Sequence, residues 1–137
     1  MGLSFQEKSL WLMFVSLIGC FGFYLAMALP PDATYIRSEQ MVLFAVAVGF
    51  LVIFQIVGHA LIAILDRRTE TDERDRLIGL KGSRNAGFVL ATGVACSLWL
   101  AVITTGNFLF THVLLAFWVL AELVGIATQL VLHRRGA

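Results

Sequence analysis

The chain has 137 residues, 59% of them hydrophobic and 14% charged, with a formal net charge of +1 and a mean hydropathy of +0.87. A soluble domain of this size carries about a quarter charged residues, so the sequence lacks the polar surface that would keep it in water and points to the lipid bilayer as its solvent. The near-neutral balance, with Lys and Arg interleaved among acids, gives no argument for a nucleic-acid partner, and none is expected.

Four apolar stretches, 10–29, 41–65, 86–105 and 108–132, each reach the roughly 20 residues that cross a ~30 Å hydrocarbon layer. A backbone in lipid must satisfy its own hydrogen bonds, and continuous apolar runs do so as helices, not as the alternating strands of a barrel. The expected fold is all-α, a four-helix transmembrane bundle forming a single membrane domain over residues 1–137.

The first span follows Lys8 and ends in Ala26-Met27-Ala28, an A-x-A pattern that a signal peptidase could cut. Its apolar run is longer than a usual signal core, so it is kept as a span. Gly2 follows the first Met, but Gln6 stands where a myristoylation pattern needs Ser or Thr. Pro30-Pro31 stops the first helix, and Ser38 followed by Glu39 suits an N-cap for the second.

The link at 66–85 carries Arg67, Arg68, Arg74, Arg76, Lys81 and Arg84 among its acids. Thr69 and Asp72 match a capping box, and Glu70–Arg74 and Asp72–Arg76 are favourable i,i+4 pairs. Leu77, Ile78 and Leu80 add an apolar edge, and Gly82 is expected to end the turn. The prediction is a short charged helix at the membrane surface. It serves either as a docking site for a partner or anionic lipid, or as a solvated connector that fixes topology.

In the third span, Gly87, Ala91 and Ala95 form a small-residue line; Ala121 and Gly125 do so in the fourth, and both read as close helix contacts, within the chain or between copies. A turn around Gly106-Asn107 makes these two spans antiparallel neighbours. Cys20 and Cys96, mid-span, are expected to be small buried hydrophobes. The C-terminus adds Arg134 and Arg135, whereas the link at 30–40 has only Arg37 and the last link no basic residue. The positive-inside rule therefore places both termini and the central loop in the cytoplasm.

"FQIVGHALIAILDRR" (54–68) overlays "AELVGIATQLVLHRR" (121–135), with Gln55 on Glu122 and Gly58 on Gly125. Spans one and three align more loosely, with Cys20 on Cys96. The pattern suggests two duplicated helical hairpins about an axis along the membrane normal. "DERDRLIGLKGSRNAG" together with "AELVGIATQLVLHRRG" resembles a group of small four-span bacterial membrane proteins without an established activity. That resemblance implies a bacterial plasma (inner) membrane and the same fold; it implies no activity.

A charge near the bilayer centre costs about 2.5–3.5 kcal/mol on insertion scales, so Glu122 needs an explanation. Glu122 and Gln129, seven residues apart, share a helix face with Trp118 and Gly125. Gln55 and His59 share a face of the second span at a similar depth. The expectation is a single cluster of Gln55, His59, Glu122 and Gln129, flanked by Trp118, with span two supplying the partners of the glutamate. Replacing Glu122 with Leu would then strand those partners at a cost of about 1–3 kcal/mol.

Three readings of the cluster stand: hydrogen-bonded glue, averaging about 0.6 kcal/mol per bond; a ligand, ion or proton site; and a subunit interface. A b-type haem needs two His at matching depth, which His59, His112 and His133 do not offer, and His59 with Glu122 is too small a donor set for a metal. Without GxSxG, Walker, HExxH or SxxK patterns, the chain is expected to be no enzyme and to need no cofactor. Two functions remain: a binding or transport-type protein with an intramembrane site for a cation, proton or small amphipathic ligand, and a non-catalytic accessory subunit docking through the charged loop. A water-accessible cavity at Glu122 favours the first; a dry bundle with an exposed small-residue seam favours the second.

Overall fold

The computed structural model describes residues 5–28, 33–65 and 73–135. They form four helices: α1 (Phe5–Ala28), α2 (Ser38–Leu65), α3 (Glu73–Ile103) and α4 (Phe108–Arg135), with no strand among the described residues. All four are long and apolar enough to cross a membrane, an architecture compatible with a small multi-pass membrane protein. Pro30, Pro31, Thr69, Glu70 and Asp72 lie outside the described residues, and with them the predicted helix stop, the capping box and both i,i+4 pairs.

α1 packs against α2 and α4, and α4 against α3. The bundle is thus opened into a row, α2–α1–α4–α3, with α1 and α4 in the middle. The row gives α1 and α4 two neighbours each, which is why the core is mostly theirs. Leu10, Leu17, Phe21, Tyr24 and Ala28 of α1 meet Val119, Ile126 and Leu130 of α4, and Ala47 is the apolar residue that α2 buries there. Phe21, only 1% exposed, stands edge-on to Trp118 at 5.8 Å and tilted to Phe44 at 6.3 Å.

α3 corrects the prediction of a short surface helix. It runs unbroken from Glu73 through Gly82 into the apolar span, 31 residues or roughly 46 Å at 1.5 Å per residue. Gly82 does not terminate it, because it keeps helical backbone geometry; the one glycine with positive φ among the described residues is Gly106, at 84°. Gly82 instead lets two helices approach: an added Cβ would come within 2.7 Å of Gln129 Cγ and 2.8 Å of the Gly125 carbonyl oxygen. At Gly93 a Cβ would collide with Phe117.

The α3–α4 seam therefore runs through Gly82, Gly93 and Gly125. Ala121 and Gly125 are buried as expected, but Gly87, Ala91 and Ala95 are exposed. At 100° per residue Gly87 lies about 140° around α3 from Gly82, whereas Gly93 lies about 20° from it. The cysteines also depart from expectation: Cys20 is half-buried and Cys96 exposed, because Cys96 projects from α3 beside the seam and not into it.

The two interhelical loops are tied to each other. Ile36 N donates to Asn107 Oδ1 (2.9 Å) and Phe108 N to the Thr34 carbonyl (3.2 Å). A Cβ on Gly106 would run into the Thr34 carbonyl, so glycine is needed both for its φ and for this approach. The α2 cap differs from the Ser38 prediction. Gln40, which is buried, reaches back with Oε1 to accept from Arg37 N (2.8 Å), while its Nε2 donates to the Ala28 carbonyl at the end of α1 (2.8 Å). That is the Gln half of a capping box, doubled as a clasp between two helices.

At the opposite end, where α1 and α3 begin and α2 and α4 finish, contacts are made by side chains. Arg134 sits 5.8 Å from the Trp11 ring centre, and His133 Nδ1 is 3.6 Å from Asp75 Oδ1.

Candidate functional site: two polar clusters on either side of α1

The structure divides the predicted cluster in two, with α1 between the halves. Gln55 and His59 are bonded to α1. His59 Nε2 lies 2.6 Å from Ser9 Oγ, and its Nδ1 lies 2.8 Å from the Gln55 carbonyl one turn back. A carbonyl only accepts, so Nδ1 carries the proton; in the neutral ring Nε2 is then the acceptor and Ser9 the donor. One turn deeper, Gln55 Nε2 donates to Ser16 Oγ (2.7 Å), which donates to the Met13 carbonyl (3.0 Å). Gln55 Oε1 is buried without a partner. Between these pairs Gly58 faces Leu12, where a Cβ would clash. Ser9, Leu12 and Ser16 of α1 thus match His59, Gly58 and Gln55 of α2 in antiparallel order.

Glu122 and Gln129 lie on the other side of α1. They share a groove of about 530 Å³ with Gln6 and Ser9 of α1 and Ser83 of α3; Leu10, Met13, Leu90 and Ile126 add apolar wall. The groove exists because α4 packs on both α1 and α3 while those two stay apart, leaving a cleft whose floor is α4. No residue of α2 lines it. The expected partnership of Glu122 with span two is therefore replaced: α1 takes up the span-two groups, and Glu122, near the middle of α4, is exposed in the groove without a hydrogen bond or ion pair to the described residues. It is the one charged side chain among those lining the groove.

Trp118 shares the Glu122 side of α4 in sequence but is absent from the groove; it packs edge-on to Phe21. Gln129 lies across Gly82, as the added-Cβ contact shows. A third polar pair, not anticipated, sits near the loops. Tyr24 Oη is 3.1 Å from His112 Nε2, and His112 Nδ1 is 2.8 Å from the Phe108 carbonyl, so the phenol donates to the ring. Ser9 and Tyr24, at opposite ends of α1, hold His59 and His112 roughly 22 Å apart at 1.5 Å per residue.

The missed groove residues are Gln6, Ser9 and Ser83. Ser9 had a readable signal, since Ser9 and Ser16 are seven residues apart on one face of an apolar helix and complement Gln55 and His59. Gln6 and Ser83 lie outside the spans expected at 10–29 and 86–105. Chemically, the groove offers one carboxyl, two carboxamides, two hydroxyls and apolar walls. That set suits a cationic head at Glu122 with an apolar body along α1 and α3. No family model, curated protein or solved structure matches the chain.

Proposed function

We propose that the chain is a four-span protein of a bacterial plasma membrane, with both termini and the 66–85 link in the cytoplasm, and that the Glu122 groove binds or translocates a cation, a proton or a small cationic amphiphile. The observation that carries this is a carboxyl without a bonded partner among the described residues, in a groove of about 530 Å³ that also collects Gln6, Ser9, Ser83 and Gln129. A glutamate used as glue would be bonded; this one is presented to whatever enters. The clustering of Lys and Arg at the end where α1 and α3 begin supports the orientation, and puts the groove in the inner half of the bilayer. No catalytic step is assigned to the site.

The test is binding of tetraphenylphosphonium, a lipophilic monocation, to detergent-purified protein by equilibrium dialysis. Binding in the micromolar range, weakened at least tenfold by Glu122→Gln, supports the site; equal binding by both proteins overturns it. A second reading, an accessory subunit or homo-oligomer, is favoured by the exposed Ala91 and Ala95 on α3, which continue from Gly87 in the groove wall. Oxidative crosslinking of Ala91→Cys in native membranes, in a background without Cys20 and Cys96, tests it.

A further inference from the structure

Ser9 belongs to both polar clusters. Its hydroxyl is bonded to His59 Nε2 at 2.6 Å on the α2 side, and it lines the Glu122 groove on the other. A hydroxyl has one proton to give, so its direction is fixed by what the imidazole needs. While His59 is neutral, with its proton on Nδ1 held by the Gln55 carbonyl, Ser9 donates to Nε2 and shows the groove only lone pairs. When His59 gains a proton, Nε2–H becomes a donor, Ser9 Oγ must accept, and the hydroxyl hydrogen is freed to turn toward the groove. No net proton transfer through Ser9 is required; one hydrogen bond reverses.

We infer that Ser9 is a positioning residue that couples the protonation of His59 to the Glu122 groove, so that occupancy of the groove is proton-linked through a histidine that does not itself line it. This rests on the groove being the binding site. α1 is the helix packed against the His59 stretch of α2, and its charged groups there are Glu7 and Lys8, each engaged in contacts of its own. The charged residues of α1 and α3 next in sequence to the groove-lining positions are Glu7, Lys8, Lys81 and Arg84. None of them lines the groove, whereas Ser9 both bonds the ring and lines the groove that holds the carboxyl. The groove would then distinguish a ligand that supplies a hydrogen-bond acceptor from a bare cation: the first is favoured by charged His59, the second by neutral His59.

The coupling is read without any ligand. The ¹⁵N resonances of the His59 ring are followed through a pH titration in the parent protein and in Glu122→Gln. The expected result is a displacement of the His59 midpoint by at least about 0.3 pH unit on Glu122→Gln, within the range that neighbouring groups impose. Ser9→Ala should abolish the displacement and Ser9→Thr preserve it. Should Ser9→Ala not fold, Ser9→Cys carries the same test, since a thiol keeps the size and makes a weak hydrogen bond. A His59 midpoint indifferent to Glu122→Gln overturns the inference. So does a displacement that survives Ser9→Ala, which would be a through-space field. Failure of tetraphenylphosphonium to bind while the displacement depends on Ser9 would instead remove the ligand reading and leave the coupling intact.

Discussion

Replacing Glu122 with leucine should stabilise the protein. The sequence suggested the reverse, a loss of about 1–3 kcal/mol from stranded partners; the structure changes the sign because the carboxyl has no bonded partner among the described residues. An acid at mid-span costs about 2.5–3.5 kcal/mol on insertion scales. Its exposure to the groove keeps part of its hydration, leaving about 1–2 kcal/mol to be recovered when Leu replaces it, with a small further gain from an apolar side chain against Leu10 and Ile126. The assay is reversible unfolding of purified protein in mixed dodecylmaltoside and SDS micelles, followed by circular dichroism. Glu122→Gln serves as the isosteric control and should fall between the parent and Glu122→Leu. A loss of more than about 1 kcal/mol in Glu122→Leu would refute the reasoning, since it would mean that the carboxyl is bonded and that the groove is a packing defect around a structural hydrogen bond.

The same unfolding assay separates the glycines of α3. Gly93→Ala should destabilise by about 1–2 kcal/mol, because overpacking against Phe117 (about 1–3 kcal/mol) outweighs a helix-propensity gain of up to about 1 kcal/mol; Gly87→Ala, which meets nothing within 4 Å, should be neutral or stabilising. Equal effects at the two sites would mean that the seam is misplaced. Ser97→Ala should be neutral or stabilising, since the Ser97 hydroxyl is buried without a partner; a clear loss would reveal a bonded hydroxyl. For the proposed orientation, a reporter at the C-terminus should read cytoplasm and a tag inserted at 33–37 should be labelled from outside, whereas outside labelling of Lys81→Cys would invert the topology.

The helices were legible because their signal is additive. Twenty apolar residues in a row leave little choice, and α4 begins at Phe108, as the sequence places it. The pairing of helices was not legible, because apolar helices differ little in what they offer one another and the choice is made by small residues and a few polar contacts. Gly82 illustrates this. Read locally it is a helix terminator; in the fold it is the point where α3 meets α4, and only the position of Gln129 and Gly125 distinguishes the two roles. Glu122 and Gln129 were found together because seven-residue spacing on one helix survives any arrangement of neighbours. Gln55 and His59 meet α1 and not Glu122 because equal depth does not imply adjacency, and α1, apolar in its sequence, carries the serines that bond them.

The arrangement of bonds along the molecule gives the two ends different mechanical roles. Near the loops, α1, α2 and α4 are tied by backbone and side-chain hydrogen bonds: Ile36 to Asn107, Phe108 to Thr34, Gln40 to both Arg37 and Ala28, and Tyr24 to His112, the Gln40–Ala28 and Tyr24–His112 bonds being buried. At the other end α1 and α3 each pack on α4 and not on one another, and the contacts there include a guanidinium over an indole and a His–Asp contact. Spreading α1 from α3 disturbs less packing than parting either helix from α4, and the loop-end ties supply a fixed point about which it would occur. On the proposed reading, a groove that admits a ligand needs that distribution of stiffness, and the same distribution lets the chain keep a carboxyl without a bonded partner among the described residues while the loop end stays tied.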